Sequence, residues 1–128
     1  MSSSSRSWRG RSLHPVVASA ARGIVAELAR RGLRAVVTSG YRSLAKQARL
    51  YEAYRRGGPL AARPGQSAHN FGLAVDIAFP GEPRSSRHYA TMHRIARTFG
   101  LQPLGVFQRG KDPYHVEVPN WRELIAPR

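Results

Sequence analysis

The segment Gly72–Phe79, with the sequence GLAVDIAF, constrains this chain more than any other. Its apolar content predicts a central strand. In the middle of it stands Asp76, and a lone carboxylate among apolar neighbours is costly to bury as an anion. Any fold of this chain has to bring a cation or strong hydrogen-bond donors to that one position. From the residues alone two answers stay open: an arginine or backbone amides can satisfy the carboxylate structurally, or a metal ion can.

The remaining segments indicate what such a strand packs against. Between Pro15 and Arg31 the apolar residues Val16, Val17, Ala20, Ile24 and Leu28 recur at helical spacing, with Pro15 suited to the first turn and Gly32 to the stop. Leu33–Thr38 (LRAVVT) reads as a strand and Ser39-Gly40-Tyr41-Arg42 as a turn. Ser43 then caps a helix running to about Arg56, with Leu44, Ala48, Tyr51 and Tyr54 on one side. Loops are expected over 57–68 and 80–85. A third helix is expected over 86–99, with Tyr89, Met92, Ile95, Ala96 and Phe99 inward and Gly100 at its end. Leu104–Phe107 and Tyr114–Val118 are expected to pair as a hairpin, and Trp121–Ile125 to form a short closing helix. The expected architecture is α+β, a small antiparallel sheet packed with about three helices. It forms one domain over residues 13–128, preceded by a mobile basic arm at 1–12.

With 128 residues and 41% hydrophobic content the chain can bury one core. It has no cysteine, which excludes a disulfide framework and any thiolate metal site. A metal would have to be held by His, Asp or Glu. Lys and Arg number 21 against 7 acids, a formal charge of +14. Such an excess draws a protein to polyanions, and charge alone does not choose between nucleic acid and anionic cell-envelope polymers. The first residues are rich in Ser and Arg with no apolar run after them, and no segment approaches the roughly 20 apolar residues of a membrane span. The expectation is a monomer made in the cytoplasm without a signal peptide or transmembrane segment.

Aspartate occurs at two positions, each close to a histidine. His69 precedes Asp76 by seven residues, and His115 follows Asp112 by three. Two neutral imidazoles and one carboxylate are ordinary zinc ligands, and three protein ligands leave a fourth position for water. Glu117 lies two residues after His115 and would share its strand face. His14, His88 and His93 read as surface or core histidines.

The segment Ser67-Ala68-His69-Asn70-Phe71-Gly72-Leu73-Ala74-Val75-Asp76 resembles the S-x-H-x-x-G-x-A-x-D motif of the M15 metallopeptidases. That family includes D-alanyl-D-alanine carboxypeptidases and dipeptidases and the L-alanyl-D-glutamate endopeptidases used as phage endolysins. Ser39-Gly40-Tyr41-Arg42-Ser43 is similar to the family's S-G-Y-R-S turn. Gln47 with Leu50-Tyr51 is similar to the Q-x-x-L-Y helix, and Asp112-Pro113-Tyr114-His115 to the D-x-x-H end motif. Four motifs in order span most of the chain. Where the family often carries Gly-Gly-x-Trp before the last motif, this chain has Gly105-Val106-Phe107-Gln108, with Phe107 in the aromatic role.

The resemblance implies a zinc D-Ala-D-Ala peptidase or Hedgehog-like fold and a Zn2+ held by His69, Asp76 and His115. It implies Asp112 as the general base and Arg42 as the residue that steadies the substrate carbonyl or the tetrahedral oxyanion. Pairing with Asp76 is the other role open to Arg42. Glu117 is the alternative base, and Ser67 and Gln47 are weaker candidates for substrate contact. The expected activity is hydrolysis of peptidoglycan stem peptides after release to the cell wall. An L-alanyl-D-glutamate endopeptidase of the endolysin kind leads; a D-alanyl-D-alanine carboxypeptidase or dipeptidase is the alternative.

Three other classes compete. Nucleic-acid binding suits the charge, and Trp8, Tyr51 and Tyr54 could stack on bases, but no nucleic-acid motif is present and Asp76 goes unexplained. A non-haem iron oxygenase also uses two His and a carboxylate, at a closer His–carboxylate spacing. A metal-free relative that only binds wall peptide sits poorly with a complete ligand set.

Overall fold

The computed structural model of the chain describes residues 12–103 and 112–125. The expected basic arm, all but Ser12, lies outside the described residues, as do the strand and turn expected over 104–111 and the aromatic position of Phe107.

The described residues form four α-helices, one short 3-10 helix and one four-stranded sheet. The helices are α1 (Pro15–Arg30), α2 (Leu44–Arg55), α3 (His88–Thr98) and α4 (Trp121–Ile125), with the 3-10 helix at Ala68–Phe71. The strands are β1 (Val36–Ser39), β2 (Ala74–Ala78), β3 (Gln102–Pro103) and β4 (His115–Glu117), in the order β1-β2-β4-β3 with every neighbour antiparallel. The α+β architecture is as expected, with the short closing helix as its fourth. None of the described helices is long and apolar enough to cross a membrane.

Helix α1 starts where proline fixes the first turn, and the His14 imidazole accepts the Val16 N–H at 3.1 Å as its cap. Val17, Ala20, Ala21, Ile24 and Leu28 face the core, while Val16 points outward. Helix α3 buries Tyr89, Met92, Ile95 and Ala96. Phe99, expected inward, is 38% exposed. Its ring lies over Gly23 of α1, where a Cβ would sit 2.3 Å from a ring carbon, so the aromatic packs on the helix surface instead of entering the core. The first strand begins at Val36, later than the expected Leu33, because Leu33 still bonds back to the α1 carbonyl of Leu28.

Strand β2 is the centre of the molecule. Val75 and Ile77 are fully buried against the helices with Phe79, Met92 and Val116. The intervening Ala74 and Asp76 face the other way. Register carries this split across the sheet: Val75 opposes Val116, Asp76 opposes His115, and Ala74 opposes Glu117. One face of β2 and β4 is hydrocarbon; the other presents Asp76, His115 and Glu117 side by side.

Helix α2 departs from the sequence reading. Ser43 caps it as expected, its Oγ accepting the Lys46 N–H at 3.0 Å. Its buried residue, however, is Gln47, while Leu44 and Tyr54 of the expected apolar side are 55% and 39% exposed. The inward face of the helix meets Arg42 and the Ala62 carbonyl, so it carries an amide in place of hydrocarbon.

Candidate metal centre

The open face of β2 and β4 is the floor of a cleft of about 320 Å³. Its lining includes Arg42, Gln47, Ser67, His69, Asp76, Asp112, His115 and Glu117, so every sequence-derived candidate meets in one place.

His69 is delivered by the 3-10 helix before β2. Ser67 opens that turn by accepting the His69 N–H at 3.2 Å. Gly72 closes it at φ 71°, a conformation that glycine adopts without penalty. A Cβ there would lie 2.2 Å from the Ser12 carbonyl oxygen, and His14 donates its N–H to the Gly72 carbonyl. The glycine of the motif is thus demanded by both backbone shape and a close chain crossing.

The imidazoles are oriented from behind. His69 donates Nδ1–H to the Gly40 carbonyl at 2.8 Å, which turns its Nε2 towards Asp76 Oδ1 at 3.2 Å. His115 places Nε2 against Glu117 Oε1 at 2.7 Å and turns Nδ1 towards the same Asp76 oxygen at 3.5 Å. Both outer nitrogens face acceptors, so the inner ones present lone pairs to a carboxylate. That convergence calls for a proton or a cation between them. The three donor atoms lie within 4.8 Å of one another. The edge of a tetrahedron with metal–ligand bonds of about 2.0–2.1 Å is roughly 3.4 Å, which the two separations from Asp76 bracket. The residues fit a metal of zinc's size and ligand preference.

Burial disfavours the Asp76 anion, but hydrogen bonds from His115 and His69 outweigh it and hold the carboxyl well below the usual range. Burial likewise disfavours the His115 cation, yet Asp76 and Glu117 push its pKa up to about 9.

Arg42 lines the cleft beside Asp76. Its guanidinium donates to Ser39 Oγ at 3.0 Å and to Gln47 Oε1 at 3.1 Å, and lies 3.7 Å from Asp76 Oδ2. The pairing with Asp76 weighed from sequence is therefore present, and the side chain still lines the cleft. A register irregularity after Val37 sets Ser39 opposite Asp76 and so beside Arg42. Gln47 is 1% exposed and donates Nε2–H to the Ala62 carbonyl at 2.8 Å, tying the arginine to the loop that walls the cleft. Asp112 sits at the lip and accepts the Tyr114 N–H at 3.1 Å.

Sequence reasoning missed Asn70. It is 5% exposed, donates to the Arg42 carbonyl at 2.9 Å and accepts the Gly65 N–H at 3.0 Å, while the Arg42 N–H bonds the His69 carbonyl. It locks the arginine turn to the histidine turn, and its place directly after His69 was the available signal. Of the histidines set aside, His88 pairs with Glu82 at 2.8 Å, and His93 donates to the Pro113 carbonyl at 2.7 Å, fastening the Asp112 turn to α3.

Two imidazoles and a carboxylate on the floor of an open cleft, with a further carboxylate and a guanidinium at hand, are the equipment of a metal-dependent hydrolase. The sequence profile of the family described as VanY, D-alanyl-D-alanine carboxypeptidase, matches residues 10–112. The peptidoglycan L-alanyl-D-glutamate endopeptidase CwlK of Bacillus subtilis (strain 168) is 34% identical over 125 residues, covering 84% of this chain and 75% of CwlK. Among solved structures, the Serratia marcescens L-Ala D-Glu endopeptidase ChiX matches with a TM-score of 0.61 at 25% identity, over 91% of this chain and 87% of ChiX. A vancomycin-resistance D,D-pentapeptidase VanY variant from a VanB-type cassette, solved with Zn(II), matches with a TM-score of 0.65 at 21% identity, over 88% and 75%. The chain belongs to the VanY, or M15, family of peptidases.

Proposed function

We propose that the protein is a zinc-dependent endopeptidase that hydrolyses the L-alanyl-D-glutamate bond of peptidoglycan stem peptides. The observation that carries this reading is the convergence of His69 Nε2, Asp76 Oδ1 and His115 Nδ1 beneath a cleft that also holds Asp112 and Arg42. The similarity to CwlK supports the choice of bond.

Zinc, held by His69, Asp76 and His115, would polarise the scissile carbonyl and acidify a water. Asp112 at the cleft lip takes the proton of the attacking water and passes it to the leaving amine. Arg42, held by Ser39 and Gln47, faces the negative charge that develops on the carbonyl oxygen. Glu117 stays behind His115 as the acceptor that fixes its tautomer. The lining residues Pro59, Leu60, Ala61 and Ala62 give the cleft one apolar wall for the small side chains of a stem peptide. A lytic role of the phage type extends this reading, since the +14 charge favours contact with anionic wall polymers.

A second reading, removal of a terminal D-alanine, is favoured by the family profile. Digestion of purified peptidoglycan with mass spectrometry of the new ends separates the two. New amino-terminal glutamate and carboxyl-terminal L-alanine are expected; free D-alanine with an intact L-Ala–D-Glu bond overturns the endopeptidase reading.

A further inference from the structure

A second guanidinium lines the cleft. Arg84, on the loop between β2 and α3, shares the lining with Asp112 and Tyr114. Its Cζ lies 5.8 Å from the centroid of the Tyr114 ring, within cation–π range. Tyr114 is itself braced: its ring meets Tyr89 edge-on at 5.3 Å, and its N–H donates to the Asp112 carboxylate. The Arg84 charge is therefore stationed at the Asp112 end of the cleft. Arg42, the other guanidinium of the cleft, lies beside Asp76, and its charge also reaches Asp112.

The chemistry of the substrate places an anion at that same end. Cleavage between L-alanine and D-glutamate makes the glutamate nitrogen the leaving group. Glutamate has two carboxyl groups; one continues the peptide, and the other is free, a few bonds from that nitrogen. Asp112, which hands its proton to the leaving amine, must come close to this free carboxylate. Two anions at such a distance repel unless a cation lies alongside.

We propose that Arg84 receives the free glutamate carboxylate and makes the enzyme selective for stem peptides in which that group is not amidated. The inference rests on the endopeptidase reading above. Its determinant lies outside the four motifs, on a loop where the sequence showed no signal.

The test compares two soluble stem peptides that differ at one group, the free glutamate carboxylate or its carboxamide. The zinc-loaded full chain and its Arg84→Gln and Arg84→Lys variants are assayed, with zinc content and circular dichroism measured on each. The wild type should favour the carboxylate peptide by about tenfold in kcat/KM, expressed mainly in KM, as expected for one charge-assisted contact at a partly open site. In Arg84→Gln the ratio should fall towards one, and Arg84→Lys should restore part of it. An equal ratio in wild type and Arg84→Gln, or no preference in the wild type, overturns the role of Arg84 alone. If the wild type cuts neither peptide but releases terminal D-alanine from a longer stem, the endopeptidase reading falls and takes this inference with it.

Discussion

Asp76 and His115 are direct cross-strand partners in the β2–β4 ladder, with Asp76 Oδ1 3.5 Å from His115 Nδ1. Their juxtaposition is set by backbone register, not by flexible side chains. A one-residue slip of β4 would turn His115 into the hydrocarbon face and bring Val116 out. The opposition of Val75 and Val116 in the core holds that register, so the apolar side of the sheet positions the polar side.

Ligand and base should separate on substitution. His69→Ala is expected to lose zinc and activity together. Asp112→Asn should keep the metal and lose about 10²–10⁴-fold in turnover, the usual contribution of a general base. Elemental analysis alongside peptide turnover makes the comparison, and an active Asp112→Asn would move the base elsewhere.

Glu117 offers a sharper contrast. As the acceptor behind His115, its replacement in Glu117→Ala should weaken zinc binding by about 10–100-fold, while Glu117→Gln, which keeps an acceptor, should recover part of the loss. Competition against a chelator of known affinity reads this directly. Unchanged zinc affinity with abolished turnover would instead make Glu117 the base.

Gly72→Ala tests the backbone demand. The new Cβ meets the Ser12 carbonyl oxygen at 2.2 Å in a left-handed conformation. A cost of about 3 kcal/mol and a Tm lower by on the order of 10 °C are expected. Thermal unfolding checks it, and a fall of less than about 2 °C would mean the crossing chain gives way easily.

In chelator-treated protein the Asp76–His115 pair makes stability depend on pH. The Asp76 pKa is lowered on folding, so its contribution is present above roughly pH 4 and lost as pH falls further. The His115 pKa is raised to about 9. Its contribution is complete below its unfolded value of roughly 6.5 and disappears as pH climbs. Tm should therefore be highest between roughly pH 4 and 6.5 and fall by about 5 °C towards pH 10. His115→Gln should flatten the alkaline side; a wild-type profile already flat there contradicts the pairing.

The net charge of +14 predicts a different response from two substrates. Salt shortens the Debye length from about 10 Å at 0.1 M to about 3 Å at 1 M. Attack on whole cell walls should fall steeply across that range, and cleavage of a soluble stem peptide much less. Parallel losses would assign the basic surface to something other than wall attraction.

Most of the site was legible because its chemistry is concentrated in rare residues. Asp76 interrupts an apolar strand, and His69 and His115 flank the two aspartates at short range. Strand β2 followed from its apolar content and helices α1 and α3 from the spacing of their apolar residues, since each turns one face to a hydrocarbon core. The span and cap of helix α2 followed too, but its inward face did not, because that surface bonds a guanidinium and a carbonyl through Gln47, and apolar periodicity has no purchase on such an interface. Asn70, and the placement of Arg84 in the cleft, escaped for a related reason. Their roles depend on which chain segments meet, and no local pattern reports that.

Strand β4 lies between β2 and β3, although it follows both in sequence. A chain emerging from the ribosome therefore carries His69 and Asp76 well before His115 exists to complete the set. If the three residues hold zinc as proposed, the full ligand set exists only once the last strand is made and paired between the two earlier ones. Zinc uptake would then report on completed folding, and a product truncated before His115 would carry two of the three proposed ligands.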